Sequence, residues 1–173
     1  MKNLALITNK NTIIEHSVKT YFDNKKIKLC IQNDIKNIPT NEGFDLIALV
    51  NYSPSDAIKN LAMNNKIINL HQSILPAFQE EEPLYKAFQH GVKVTGVTVH
   101  NVLSDNFYGP ILTQYPVLIG LSTHFDTLQN EINNISSKLY PLVIDSILHD
   151  RVFDYPELLK NSSCSNCSKH CNK

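Results

Sequence analysis

Asp45–Val50 reads DLIALV, and five of its six residues are apolar in unbroken succession. An apolar run this short, with no polar alternation, suits a strand in the middle of a parallel sheet that is covered on both faces. Such a strand demands helices above and below it, so the rest of the chain must supply them.

Further strands are expected at Leu4–Thr8, Ile27–Gln32, Lys66–Leu70, Val92–Val102 and Ile111–Leu118, each rich in apolar or β-branched residues. Helices fit between them. Thr12 can cap the first, whose Ile13, Ile14, Val18 and Phe22 fall near one face at helical spacing. Ser55–Asn64 suits a short helix capped by Ser55, and Leu84–Gln89 another that stops at Gly91, where a left-handed residue is needed. The stretch 33–43 is polar and too short for a crossover unit, so it reads as a connection. Phe125–His149 repeats apolar residues at Leu128, Ile132, Ile135, Leu139, Val143 and Ile147, with Pro141 expected to bend the helix. The pattern implies an α/β fold: a wound, mostly parallel sheet flanked by helices, Rossmann-like, with ligands at the strand ends.

At 173 residues the chain has room for one domain with a substantial core. Residues 1–155 are expected to form it. Residues 156–173, dominated by Asn, Ser, Cys and Lys without apolar periodicity, are expected to be a flexible Cys-rich tail. Sixteen basic residues balance sixteen acidic ones, which argues against a nucleic-acid or membrane partner and leaves small molecules. The start, MKNLALITNKN, lacks the long apolar core of a secretory signal, so a cytoplasmic location is expected.

The chemistry concentrates in KIINLHQSILP, residues 66–76. Side chains on a strand repeat every two residues, so Asn69 and His71 share a face at the strand end. An amide there can donate to a developing oxyanion while an imidazole moves a proton, the division of labour that acyl transfer needs. By itself Asn-x-His is more often a satisfied polar pair. Its surroundings are what give it weight. Asn69-Leu70-His71 is followed by Ser73-Ile74-Leu75-Pro76, then Gly91-Val92-Lys93-Val94-Thr95-Gly96-Val97-Thr98-Val99-His100, then Gly109-Pro110-Ile111, and later Leu139-Tyr140-Pro141-Leu142-Val143-Ile144.

In that order these blocks resemble the folate-dependent formyltransferases, nearest to the glycinamide ribonucleotide (phosphoribosylglycinamide) formyltransferase family, of which this chain looks like a short and divergent member. The resemblance implies transfer of a formyl group from the co-substrate 10-formyltetrahydrofolate to a primary amine, with no metal. The amine it points to is that of glycinamide ribonucleotide, in purine biosynthesis. It also implies that Asn69 binds the formyl oxygen and His71 moves the proton. Val50, Asn51 and Tyr52 would hold the folate through backbone contacts, and Asn11 and Thr12 the substrate phosphate, although Thr12 serves equally as an ordinary helix cap.

Several positions depart from the family. Its third catalytic residue is an Asp, and counting from either His100 or Gly109 puts Phe107 there, with Asp105 two residues earlier as the substitute carboxylate. No glycine stands in Thr8–Thr12, where the family cradles phosphate. Glu80, Glu81 and Glu82 replace a glycine-bearing loop, and Ser136 occupies the place of an acid that contacts ribose. The residues therefore leave open a working transferase, on this amine or on another such as an amino sugar, and a protein that keeps fold and folate affinity, as a binding or regulatory module, without transfer. His100, inside a Val-rich strand, reads as a hydrogen-bonded structural residue. Cys164, Cys167, His170 and Cys171 have ligand chemistry for zinc, but at a spacing unlike known fingers, so a thiol-rich tail is the expected reading.

Overall fold

The computed structural model describes residues 1–8, 12–39 and 43–151. Six strands form one sheet: β1 (Lys2–Ile7), β2 (Ile27–Gln32), β3 (Leu46–Val50), β4 (Ile67–His71), β5 (Val94–Val102) and β6 (Ile111–Leu118), in the order β2-β1-β3-β4-β5-β6. The pairs β1–β2, β1–β3 and β3–β4 are parallel, while β4–β5 and β5–β6 are antiparallel. Four helices accompany them: α1 (Thr12–Phe22), α2 (Asp56–Ala62), α3 (Pro83–Gln89) and α4 (Phe125–Leu148). This is the wound, mostly parallel α/β sheet anticipated above.

The DLIALV run explains itself once the two faces are separated. Leu46, Ala48 and Val50 join Leu4, Leu6, Ile68 and Leu70 in a core covered by Ile14, Val18 and Phe22 of α1 and by Leu128, Ile132, Leu139, Tyr140, Val143 and Ile144 of α4. Ile47 and Leu49 turn the other way, into a smaller cluster with Ala5, Ile7, Ile38, Ile58 of α2, Ile67 and Val102. Every residue of β3 is buried because helices lie on both sides.

Local signals placed the helices well. Ser55 caps α2 by accepting from the Ile58 amide at 3.3 Å. After α3, Gly91 takes a φ of 65°, the left-handed conformation expected at a helix end. Ile13, expected on the buried stripe of α1, is 51% exposed. The stripe that docks is Ile14-Val18-Phe22, a strict four-residue spacing, and Ile13 lies one position, or about 100° of helical turn, away from it. Among the described residues, the connection at 33–43 carries a 3-10 turn, Ile35–Asn37, capped by Asp34. Pro141 sits inside α4, which continues through it to Leu148. No helix among the described residues is long and apolar enough to cross a membrane. The tail candidates Cys164, Cys167, His170 and Cys171 lie outside the described residues, as do Asn11 and the side chain of Thr12.

Candidate active site

The smaller apolar face carries the chemistry. Because β4 alternates, Asn69 and His71 follow Ile67 onto that face, at the carboxyl end of the parallel strands where a wound sheet opens. Asn69 is fully buried and His71 is 3% exposed. On the antiparallel neighbour, His100 stands directly opposite Asn69 and Thr98 opposite His71, so the two imidazoles and the amide form one cross-strand group.

Every polar atom of Asn69 and His100 has an identifiable partner. Asn69 Oδ1 accepts from the Tyr52 amide at 3.3 Å, and its Nδ2 donates to the Tyr52 carbonyl at 3.2 Å and to His100 Nε2 at 3.3 Å. His100 Nδ1 donates to the Asn101 carbonyl at 3.0 Å, which leaves Nε2 as the acceptor that Asn69 uses. Burial outweighs these backbone bonds and drives His100 down to about 4, so its ring is neutral. His100 is therefore the hydrogen-bonded structural residue that its strand context suggests.

His71 has a different environment. Its Nε2 donates to the Phe78 carbonyl at 2.8 Å, and a carbonyl can only accept, so the proton of the neutral ring sits on Nε2 and the lone pair on Nδ1. Desolvation lowers its pKa and the Phe78 carbonyl only partly offsets that, favouring the neutral, base-competent ring. Phe78 reaches this position through a left-handed backbone, φ 55°, and Ser73 Oγ holds the same turn by donating to the Ala77 carbonyl at 2.7 Å.

The carboxylate expected nearby is not brought to His71. Phe107 packs against the smaller apolar cluster and lies edge-on to His100, ring centroids 5.7 Å apart. Tyr108 lies edge-on to His71 at 5.8 Å and tilted against His100 at 5.5 Å, and its hydroxyl donates to the Gln79 carbonyl. Aromatic rings thus fill the space beside the imidazoles. Asp105 is exposed on the rim of a separate cavity of about 440 Å³, with Lys59, Leu103 and Phe107. Ser136 is wholly buried in α4 and faces neither cavity.

His71 opens instead on a cavity of about 990 Å³. Asn51, Tyr52 and Gln72 line it near the histidine, and Glu80, Glu81, Glu82, Tyr85 and Phe125 line its outer wall. Val50 is fully buried in the sheet, so only its neighbours Asn51 and Tyr52 reach the space. The Phe78 carbonyl, Tyr108 and the α4 residue Phe125 were not marked by the sequence as site residues. A backbone carbonyl leaves no residue-type signal, and an aromatic next to Gly-Pro reads first as packing.

A formyl transferase family model matches residues 5–144. The chain belongs to the formyl transferase family. Among its relatives is a phosphoribosylglycinamide formyltransferase of Bacillus subtilis, 39% identical over 106 residues, which are 60% of this chain and 54% of that protein. A formyltetrahydrofolate deformylase of Haemophilus influenzae is 31% identical over 91 residues, 53% of this chain and 33% of that protein. These matches span about half and one third of the two relatives. The same fold is found in the crystal structure of a phosphoribosylglycinamide formyltransferase from Anaplasma phagocytophilum, with a TM-score of 0.69, 21% identity, and 86% and 87% of the two chains covered. Within this formyl transferase fold, Phe107 and Tyr108 give the histidine pair apolar neighbours where the sequence comparison above anticipated a carboxylate.

Proposed function

We propose that this chain transfers a formyl group from 10-formyltetrahydrofolate to the primary amine of a small molecule. The observation that carries the reading is the cross-strand group itself: Asn69 and His71 on one face of β4, with His71 opening on the large cavity. When bound, the folate supplies the formyl carbon as the electrophile. The new bond joins the amine nitrogen to that carbon, and the bond from the carbon to the folate nitrogen breaks.

His71 takes the proton that the amine loses, at Nδ1, and returns it to the departing folate nitrogen. Asn69 stabilises negative charge on the formyl oxygen through Nδ2, exchanging its 3.2 Å bond to the Tyr52 carbonyl for the substrate. The backbone of Asn51 and Tyr52 lies against the folate. Both relatives' names concern formyl transfer or formyltetrahydrofolate, which supports the reaction class.

Glycinamide ribonucleotide is the first acceptor to test, and Asn11 and Thr12 are the residues assigned to its phosphate by resemblance. A non-phosphorylated amine is the second reading. It is favoured by the cavity wall, where Glu80, Glu81 and Glu82 stand and none of the described lining residues is Lys or Arg.

The test mixes purified protein with 10-formyltetrahydrofolate, with and without each acceptor, and follows tetrahydrofolate release beside a His71→Ala control. Acceptor-stimulated release that the control abolishes is the expected result. Release that ignores the acceptor but still needs His71 would mean hydrolysis or a different amine substrate, and no release would favour a folate-binding or otherwise non-catalytic role.

A further inference from the structure

We propose that Gln72 reads a hydroxyl on the acceptor, apart from its reacting amine, with the side-chain Oε1 accepting the hydroxyl proton. The inference rests on the transfer reading above and names the feature of the acceptor that the large cavity selects. Gln72 follows His71 at the end of β4, and because side chains alternate along the strand it turns away from the histidine and towards α4. There its Nε2 donates to Asn133 Oδ1 at 3.0 Å, which fixes the amide. Gln72 is only 9% exposed, yet it lines the large cavity together with His71.

The bond to Asn133 uses the donor of the amide and leaves the acceptor. Oε1 has no hydrogen-bond partner among the described residues, but it is not one of the buried polar atoms without a partner, which are Asn51 Oδ1, Thr95 Oγ1, Ser136 Oγ and Asp145 Oδ1. An oxygen that is neither bonded nor buried, on a side chain that lines the cavity, is presented to that cavity. Gln129 stands four residues before Asn133 on the same face of α4, is exposed and lines the same space. A hydroxyl both donates and accepts, so one group can give its proton to Gln72 Oε1 and take a bond from Gln129 Nε2. An ammonium can do only the first, and has the carboxylates of Glu80, Glu81 and Glu82 in this cavity as stronger partners. The ligand therefore lies across the end of β4, its amine towards His71 and its hydroxyl towards α4.

A plainer account makes Gln72 a strut that ties β4 to α4 through Asn133. A strut matters alike to every ligand, whereas a hydroxyl reader matters only to ligands that carry the hydroxyl. Gln72→Met, which keeps the length of the side chain and removes its amide, parts the two accounts. Gln72→Glu keeps an acceptor oxygen on the same stem, and Asn133 can turn its Nδ2 to the second oxygen.

The experiment titrates the full chain and both variants calorimetrically with glycinamide riboside, with glycinamide ribonucleotide, and with the counterpart of each that lacks the two ring hydroxyls. Wild type is expected to bind at least one of the hydroxylated amines about tenfold more tightly than its deoxygenated counterpart, the worth of one hydrogen bond. Gln72→Glu should keep that preference and Gln72→Met should lose it, binding the pair within about twofold. A preference that survives in Gln72→Met would overturn the proposal, as would its loss in both variants, or a wild type that shows no preference or binds none of these amines. Turnover is judged separately: a hydroxyl preference that depends on Gln72, without tetrahydrofolate release, would sink the transfer reading and leave this one standing.

Discussion

At the scale of single residues, the two histidines show how environment divides one chemistry into two roles. Both rings are buried and both are held neutral, but His100 spends both nitrogens on protein partners whereas His71 spends only Nε2 on a carbonyl and faces a cavity. The folded state binds no proton on His100 until pH falls to about 4, while the unfolded imidazole titrates near 6.5. Stability from this group is therefore complete above about pH 6.5 and is lost as pH falls from there towards 4, by about 3 kcal/mol in all. His71, also lowered, adds in the same direction. Urea unfolding at pH 7.0, 5.5 and 4.5 should show this slope, and His100→Gln, which cannot titrate, should flatten it. Equal slopes in the two proteins would mean that His100 titrates alike in the folded and unfolded states.

Phe107 offers the complementary test. Its ring packs on Val102 and the smaller core, so Phe107→Asp should cost about 2–3 kcal/mol of stability. It should also place a carboxylate beside the histidines, raise the pKa of His71 and increase kcat/KM at pH 7 by about tenfold, moving the acid limb of the pH profile upward. Kinetics paired with a denaturant midpoint separates the two effects, and a slower enzyme with an unmoved pH profile would show that a carboxylate at position 107 does not tune His71. Asn69 and His71 were legible in the sequence because a two-residue period on a buried strand leaves little choice of face. The left-handed turn at Phe78 was not, since Phe seldom takes a positive φ, and at Asn51 the residue type allows one without requiring it.

Among the elements, the strands were legible and their directions were not. Alternation has the same period whichever way a strand runs, so nothing in Val94–Val102 or Ile111–Leu118 revealed that β5 and β6 run antiparallel to their neighbours. That reversal is what places His100 across from Asn69, and a small set of contacts maintains it. The segment after β4, which contains the cis Leu75–Pro76 bond, lies on β5 and β6. Thr98 Oγ1 donates to the Ser73 carbonyl at 2.7 Å and accepts from the Leu75 amide at 3.1 Å, and Gln114 Nε2 donates to the Leu75 carbonyl at 2.9 Å. Gly96 permits the approach, for a Cβ there would stand 2.0 Å from the Tyr115 carbonyl oxygen and 2.7 Å from Ile74 Cδ1. Gly96→Ala should therefore push the Ile74 segment off the sheet, destabilise the protein by about 2–3 kcal/mol and weaken formyl transfer through displacement of the Phe78 carbonyl from His71. Chemical denaturation and turnover measured on the same sample check both halves, and a variant as stable as wild type would show that the segment has room to yield.

Across the whole molecule, the two faces of the sheet divide stability from function. α1 and α4 clasp the larger core, and polar contacts lock them: Ser17 Oγ donates to the Ser137 carbonyl, Tyr21 donates to Asp145 at 3.1 Å, and Lys25 pairs with Asp145 at 3.0 Å. Burial alone would raise the Asp145 carboxyl, but Lys25, Tyr21 and Arg151 hold it below the usual carboxylate range. Tyr140 fastens α4 to the central strand, its hydroxyl donating to the Leu49 carbonyl at 2.6 Å. The opposite face has the smaller cluster, the smaller cavity and the histidine pair, while the large cavity opens at the strand ends, where Leu84 and Phe125 reach it from the larger core. A ligand filling the large cavity would couple Asn51 and Tyr52 after β3, His71 and Gln72 of the β4 end, and Phe125 of α4, none of which the smaller core alone holds together. A folate ligand should then stabilise the chain by mass action, about 2.7 kcal/mol at a hundredfold excess over Kd. For a chain of this size that corresponds to a rise in Tm of about 5–10 °C. Thermal unfolding with a stable 10-formyl folate analogue tests this, and Tyr85→Ala, on the exposed outer wall, should halve the shift or more while leaving the unliganded Tm within about 2 °C. A shift that survives Tyr85→Ala but disappears in Phe107→Asp would place the folate in the smaller cavity beside Asp105 and assign the large one to the acceptor.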